Sequence, residues 1–245
     1  MSEPIKTLQL IFDLPLGARQ IAQWRGAFIQ MAGWEDELFH NHNNQRGNYH
    51  YRYPLIQYRS FKGKAAIFAI NEGVNALHKV LASNQWTITW EGCPKALQVA
   101  DIRVSDHYLK MTKVPQKYQL FQWLALNEQG HREWQNCNGA IERILLLQRK
   151  LQNHLIGCFK GLNWNWPERI EVAIEFPNRR FPVKYHDAYL MAFDIAFSTN
   201  VLLPNSIAIG KGVSHGFGWI IPEKVLIFQH KKQLQKQVKK DKVES

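Results

Sequence analysis

Leu8, Leu10 and Phe12 alternate with Thr7, Gln9 and Ile11, a period of two that predicts a strand over 5–12, ended by Pro15 and Gly17. From Arg19 the spacing changes. Ile21, Trp24, Phe28 and Met31 recur at helical intervals up to Gly33, with Arg25 off that apolar stripe. Residues 53–59 and 65–70 then read as two strands around the turn Phe61-Lys62-Gly63-Lys64. Asn71 caps a second helix with Glu72 in its first turn and Val74, Leu77 and Leu81 as its buried stripe. Residues 85–91 and 97–104 return to strand. Strand, helix, strand, strand, helix, strand is the split β-α-β order of a ferredoxin-like domain, complete by His107.

The second half opens with a strand over 118–126 and continues with a long helix. Ile144, Leu147, Leu151 and Leu155 share one face of it, opposite Glu142, Arg149, Lys150 and Asn153. No other helix is evident there. After a loop at 163–167, Ile170, Val172, Ile174 and Phe176 alternate as a strand. Residues 184–199 read as one continuous strand with Tyr189, Met191, Phe193, Ile195 and Phe197 on one face, and the last strand is expected over 219–228. Residues 231–245 form a lysine-rich tail, six lysines against two acids, of the kind that is usually solvated. The expected division is 1–107, 108–230 and the tail.

Composition narrows the partners. A hydrophobic content of 45% supports a substantial core in 245 residues, and a formal charge of +11 with pI near 9.6 points to an anionic partner, nucleic acid ahead of membrane. Cys93, Cys137 and Cys158 are widely spaced and odd in number, which suggests neither a disulfide framework nor a zinc finger and fits a reducing cytoplasm. The first residues lack a signal-peptide pattern, and no apolar run reaches membrane-spanning length.

Two stretches carry candidate chemistry. Gly210, Gly212, Gly216 and Gly218 lie within nine residues beside Lys211 and His215, so the backbone there can take positive φ angles and present N–H groups and an ammonium to a phosphate. The plain alternative is a hairpin that uses its glycines only to turn. Neither a Walker loop nor a dinucleotide fingerprint fits, and a nucleotide cofactor is not expected. Earlier in the chain, His40 and His42 flank Asn41, placing two imidazoles within reach of one site. RNA cleavage through the 2′-hydroxyl needs one proton acceptor and one donor. Incidental surface histidines, or a metal site drawing on His40, His42 and His50, are the alternatives, although no carboxylate or thiolate is spaced to complete a metal site apart from the distant Glu35–Glu37 cluster. Tyr49, Tyr51 and Tyr53 share one face of the following strand and His50 and Arg52 the other, and Tyr49 or Tyr51 could orient a hydroxyl or stack on a base. Acyl-enzyme schemes find no local signature.

The segments L-F-H-N-H, Y-R-Y-P-L-I-Q-Y-R, I-N-E-G-V and the late G-F-G-W resemble the CRISPR-associated endoribonucleases that cut precursor guide RNA within each repeat, the sixth Cas family of the RAMP superfamily. One departure is visible: Ala208-Ile209-Gly210 stands where the family's glycine loop often begins with a G-h-G triplet. The resemblance implies an α+β fold of two tandem ferredoxin-like (RRM-like) domains, antiparallel sheets with helices on one face, and RNA over the cleft. It implies metal-independent cleavage without a cofactor, giving 2′,3′-cyclic phosphate and 5′-hydroxyl ends. His40 and His42 would serve as base and acid, or as one acid–base group and one phosphate stabiliser, assisted by Tyr49 or Tyr51. Arg25, Arg52, Lys62, Lys64, Gly210, Lys211, Gly212, His215 and Gly216 would hold the RNA. The implied partners are CRISPR repeat RNA, precursor and mature, and other CRISPR effector subunits, for a monomer or homodimer in the prokaryotic cytoplasm. A non-catalytic RNA-binding subunit of the same fold and a metal-dependent nuclease are the rival readings.

Overall fold

A computed structural model describes residues 4–34, 36–40, 53–83, 86–164 and 168–227. In the first half, β1 (Ile5–Pro15) leads through a short 3-10 turn into α1 (Ile21–Ala32), and β2 (Ile56–Phe61) and β3 (Lys64–Ile70) form a hairpin. Lys62 and Gly63 both take positive φ, 51° and 75°, the backbone a two-residue hairpin turn requires. After α2 (Glu72–Leu81), residues 87–96 depart from expectation. β4 (Thr87–Trp90) pairs with β5 (Cys93–Ala96) in a ribbon of its own, and the fourth strand of the main sheet is β6 (Val99–His107). Glu91 and Gly92, at φ 51° and 82°, make that ribbon's turn. The main sheet runs β2-β3-β1-β6, with helices on one face. Trp24 and Phe28 of α1 pack on Phe12 of β1 with ring centroids at 5.2 and 6.0 Å, and Phe28 meets Tyr58 of β2 at 6.0 Å. Asn71 precedes α2 but its side chain does not cap it; the side-chain Oδ1 instead accepts the N–H of Lys6 at 3.0 Å.

The second half repeats the topology. β7 (Lys110–Trp123) is followed by two helices, α3 (Glu128–Gln135) and α4 (Ala140–Gly161), then β8 (Val172–Tyr185), β9 (Ala188–Leu202) and β10 (Trp219–Pro222). Sheet order is β10-β7-β9-β8, the same arrangement of first, second, third and fourth strands as in the first half. The glycine-rich segment occupies the place between third and fourth strands where the first half has α2. Three expectations change. α3 has only Gly130 and Trp134 buried, too little for a visible stripe, although Asn127 caps it by accepting the Gly130 N–H at 2.8 Å. The strand expected over 184–199 breaks at His186 and Asp187 into the β8–β9 hairpin, with His186 at φ 52°. Beyond Pro222 the chain turns helical over 223–227 instead of continuing as strand.

The halves share a core. Ile5, Phe68 and Ile70 from the first sheet pack with Trp123, Leu147, Leu151, Phe193 and Phe197 of the second half. Polar ties cross between them: Tyr53 O–H donates to the Ala208 carbonyl at 2.6 Å, and Arg59 Nη1 donates to the Ser206 carbonyl at 2.7 Å. Arg59 is buried, bonded also to Gln57 Oε1 at 2.8 Å and set over the Phe68 ring, and burial lowers its pKa to about 10. A guanidinium this deep serves as a rigid bracket for the start of the glycine loop.

Candidate functional site

The glycine loop is held by its own backbone. Ile209 N–H donates to the Gly218 carbonyl at 2.7 Å, Gly218 N–H to Phe121 at 3.1 Å, and the His215 and Phe217 N–H groups to Gly212 at 2.8 and 3.3 Å. The Ile209, His215, Phe217 and Gly218 amides are therefore engaged inside the protein. Packing demands glycine along this loop, most sharply at Gly218 (φ 71°), where a Cβ would run into the Ile209 carbonyl. At Gly216 (φ 85°) a Cβ would fall 2.7 Å from Ile21 Cδ1 and 3.2 Å from the Tyr58 carbonyl, so its absence lets the loop lie against α1 and β2. At Gly210 (φ 95°) a Cβ would crowd Trp123 Nε1 at 2.8 Å and His154 Nδ1 at 3.0 Å. Beneath it Trp123 donates to His154 at 3.0 Å, and burial together with Lys150 holds that imidazole's pKa down at about 4.

Beside this backbone the loop offers side chains, and these meet the tip of the β8–β9 hairpin. The Lys211 ammonium sits 5.2 Å from the centre of the Tyr185 ring, and the His215 ring lies 5.7 Å from Tyr185 and 5.3 Å from His186. Tyr185 and His186 are themselves 4.5 Å apart, and Phe217 closes the back of Tyr185 at 5.8 Å. Ser214 Oγ lies 3.1 Å from His215 Nδ1. His186 and Lys211 are exposed, whereas Tyr185 and His215 are half-buried. Burial raises the Tyr185 pKa, and the charge of Arg25 acts against that rise. Sequence reasoning named Lys211 and His215 but missed Tyr185 and His186, because it ran a strand through the turn. The available signal was the His186-Asp187 pair, two residue types that tolerate left-handed backbone, interrupting an alternating pattern.

Arg25 links this cluster to the histidine loop. Its Nη2 donates to the His40 carbonyl at 2.8 Å, and its guanidinium carbon lies 6.0 Å from the Tyr58 ring. The His40 side chain is only 1% exposed, and its Nε2 lies 3.0 Å from the Trp34 carbonyl, so that nitrogen carries the proton and donates. His42, Tyr49, His50, Tyr51 and Arg52 lie outside the described residues. Lys62 lies in the β2–β3 turn and Lys64 follows it, where Lys62 lies over the Phe61 ring and Lys64 pairs with Asp13 at 2.7 Å. Those contacts tie both lysines to their own sheet, and the described contacts do not join them to the cluster. Among the described residues no group of three or more metal-ligating side chains occurs, and no helix is long and apolar enough to cross a membrane.

Comparison with known proteins bears on the whole chain. Residues 3–108 match the family model of the Cas6b N-terminal domain, and residues 110–223 match that of the Cas6b C-terminal domain. A crystal structure of Cas6b superposes with a TM-score of 0.80 at 23% identity, covering 89% of this chain and 99% of that one. A second, of the CRISPR RNA processing endoribonuclease Cas6b, gives 0.67 at 21% identity with the same coverage. Both likenesses support the two ferredoxin-like halves described above. An uncharacterized protein of Methanocaldococcus jannaschii is 30% identical over 100 residues, which are 40% of this chain and 66% of that relative, just under two thirds of its length. With both halves matched in order and nearly end to end, the chain belongs to the Cas6b family.

Proposed function

We propose that this protein is an endoribonuclease that processes CRISPR RNA, cutting the precursor within its repeats by attack of the 2′-hydroxyl on the adjacent phosphodiester. One imidazole of the His40–His42 loop takes the 2′-hydroxyl proton, and the other protonates the departing 5′-oxygen or steadies the phosphate. The products are a 2′,3′-cyclic phosphate and a 5′-hydroxyl, and no metal or cofactor takes part. Tyr49 or Tyr51 orients the hydroxyl. Arg25, Arg52 and Lys211 supply positive charge along the RNA, which the basic composition favours. The observation that carries this reading is the match of both halves to Cas6b domains. Arg25 adds support, since one guanidinium bridges the start of the histidine loop and the electrostatic surroundings of Tyr185.

The His40 ring is buried, with Nε2 bonded to the Trp34 carbonyl. Its burial is the observation that favours the second reading, an RNA-binding protein of this fold without catalysis. Incubating purified protein with repeat RNA in EDTA, followed by end-group analysis, separates the readings. Cleavage to cyclic-phosphate ends that disappears when the nucleotide before the cut is 2′-deoxy supports the proposal. Binding without cleavage supports the second reading, and cleavage only when divalent metal is restored points to a water nucleophile on a metal.

A further inference from the structure

We propose that Tyr185, His186, Lys211 and His215 form a proton-linked phosphodiester site, in which the charge on two imidazoles sets the affinity for an RNA backbone phosphate. The inference rests on the reading that the ligand is RNA, but it concerns a site that the His40–His42 chemistry does not use.

Two separate parts of the chain build the site. Tyr185 and His186 come from the tip of the β8–β9 hairpin, and Lys211 and His215 from the glycine loop. They converge with imidazole centres 5.3 Å apart and the ammonium 5.2 Å from the Tyr185 ring. His186 and Lys211 are exposed, so the cluster opens to solvent on one side, while Phe217 and the half-buried Tyr185 wall the other. Counting charges on the packed elements shows one sign. Lys184, His186, Lys211, His215 and, from α1, Arg25 are basic or can become so. Asp187 is the single carboxylate on 21–32, 184–188 and 205–218. Among the described residues neither Arg25 nor Lys211 takes part in an ion pair, and Arg25 Nε is buried without a hydrogen-bond partner. A set of cations this little neutralised is suited to an anion, and the aromatic wall can also carry a base or sugar.

The histidine pair adds a property that lysine and arginine lack. Imidazole changes charge between pH 5 and 8, and two imidazoliums at 5.3 Å repel each other. A phosphate set against both reverses that repulsion, so anion binding draws protons onto the pair. By linkage, affinity for the phosphate then falls as pH rises across the same range.

The test uses the full chain and a fluorescein-labelled oligo(2′-deoxyuridylate), which cannot be cut by 2′-hydroxyl attack, with anisotropy read at about pH 6 and about pH 8. Wild-type binding should weaken by about tenfold or more between the two, the size of one lost charge-assisted contact. His186→Gln and His215→Gln should each reduce that dependence, read as the ratio of affinities at the two pH values. Lys211→Ala should weaken binding at both pH values and keep the dependence. A flat wild-type response, or two folded histidine variants with the wild-type pH dependence, overturns the proposal. Failure of the RNA-processing reading would look different: wild type would not cut repeat RNA at any pH, with the anisotropy result unchanged.

Discussion

Gly216→Ala tests whether the glycine loop is set by packing between the two halves. Alanine at φ 85° carries the left-handed penalty of about 1–2 kcal/mol. Its Cβ would also stand 2.7 Å from Ile21 Cδ1 and 3.2 Å from the Tyr58 carbonyl. The Ile21 methyl can rotate aside, but the Tyr58 carbonyl is backbone of β2 and shifts only with that strand, so overpacking adds about 1–3 kcal/mol. A loss of about 2–5 kcal/mol follows. In a chain of this size each kilocalorie moves the melting temperature by about 2–4 °C, giving an expected drop of about 4–20 °C in calorimetry or circular dichroism. Gly26→Ala is the control. That glycine is exposed within α1, a Cβ there meets nothing within 4 Å, and the helix gains up to about 1 kcal/mol. A Gly216→Ala protein melting within about 2 °C of wild type would refute the packing argument and return the position to a ligand-facing role.

Three further outcomes are expected. The depressed pKa of His154 means that the unfolded chain takes up its proton first, near 6.5. The stability this group supports is complete above that pH and falls by about 3 kcal/mol on acidification towards pH 4. His154→Gln should flatten that part of the melting-temperature profile, and an unchanged slope would remove His154 as the cause. Lys211→Ala should weaken binding across RNA sequences and reduce the slope of log affinity against log salt by about 0.7, one phosphate contact on a single strand, as read from salt titrations. His40→Ala and His42→Ala should each lower the single-turnover cleavage rate by at least about tenfold with little change in affinity, and wild-type rates in both would move catalysis elsewhere.

Hydrophobic periodicity alone determined most of the architecture. The stripes of α1 and α4 and the alternation in β9 were legible because each buries one face, and burial imposes its period on the residues. The basic charge and the clustering of Gly210 to Gly218 likewise pointed to an anionic partner from composition and spacing. What escaped the pattern were elements that bury too little to leave one. These include α3, with a single buried aromatic, the β4–β5 ribbon, and the break at His186-Asp187, where strands with similar alternation on both sides hide the turn. The candidate site divides the same way. Lys211 and His215 were visible as chemistry beside glycines, yet their neighbours Tyr185 and His186 lie more than 20 residues earlier in the chain and are brought in only when β8 and β9 pair and the loop folds back on the hairpin. His40 shows the converse. Its sequence neighbourhood placed it in a loop beside His42, but only the fold shows its ring buried, with Nε2 against the Trp34 carbonyl and its own carbonyl held by Arg25. Periodicity reports which face of an element is buried, whereas the meeting of side chains distant in sequence, and the direction in which a loop residue points, follow only from how those elements close on one another.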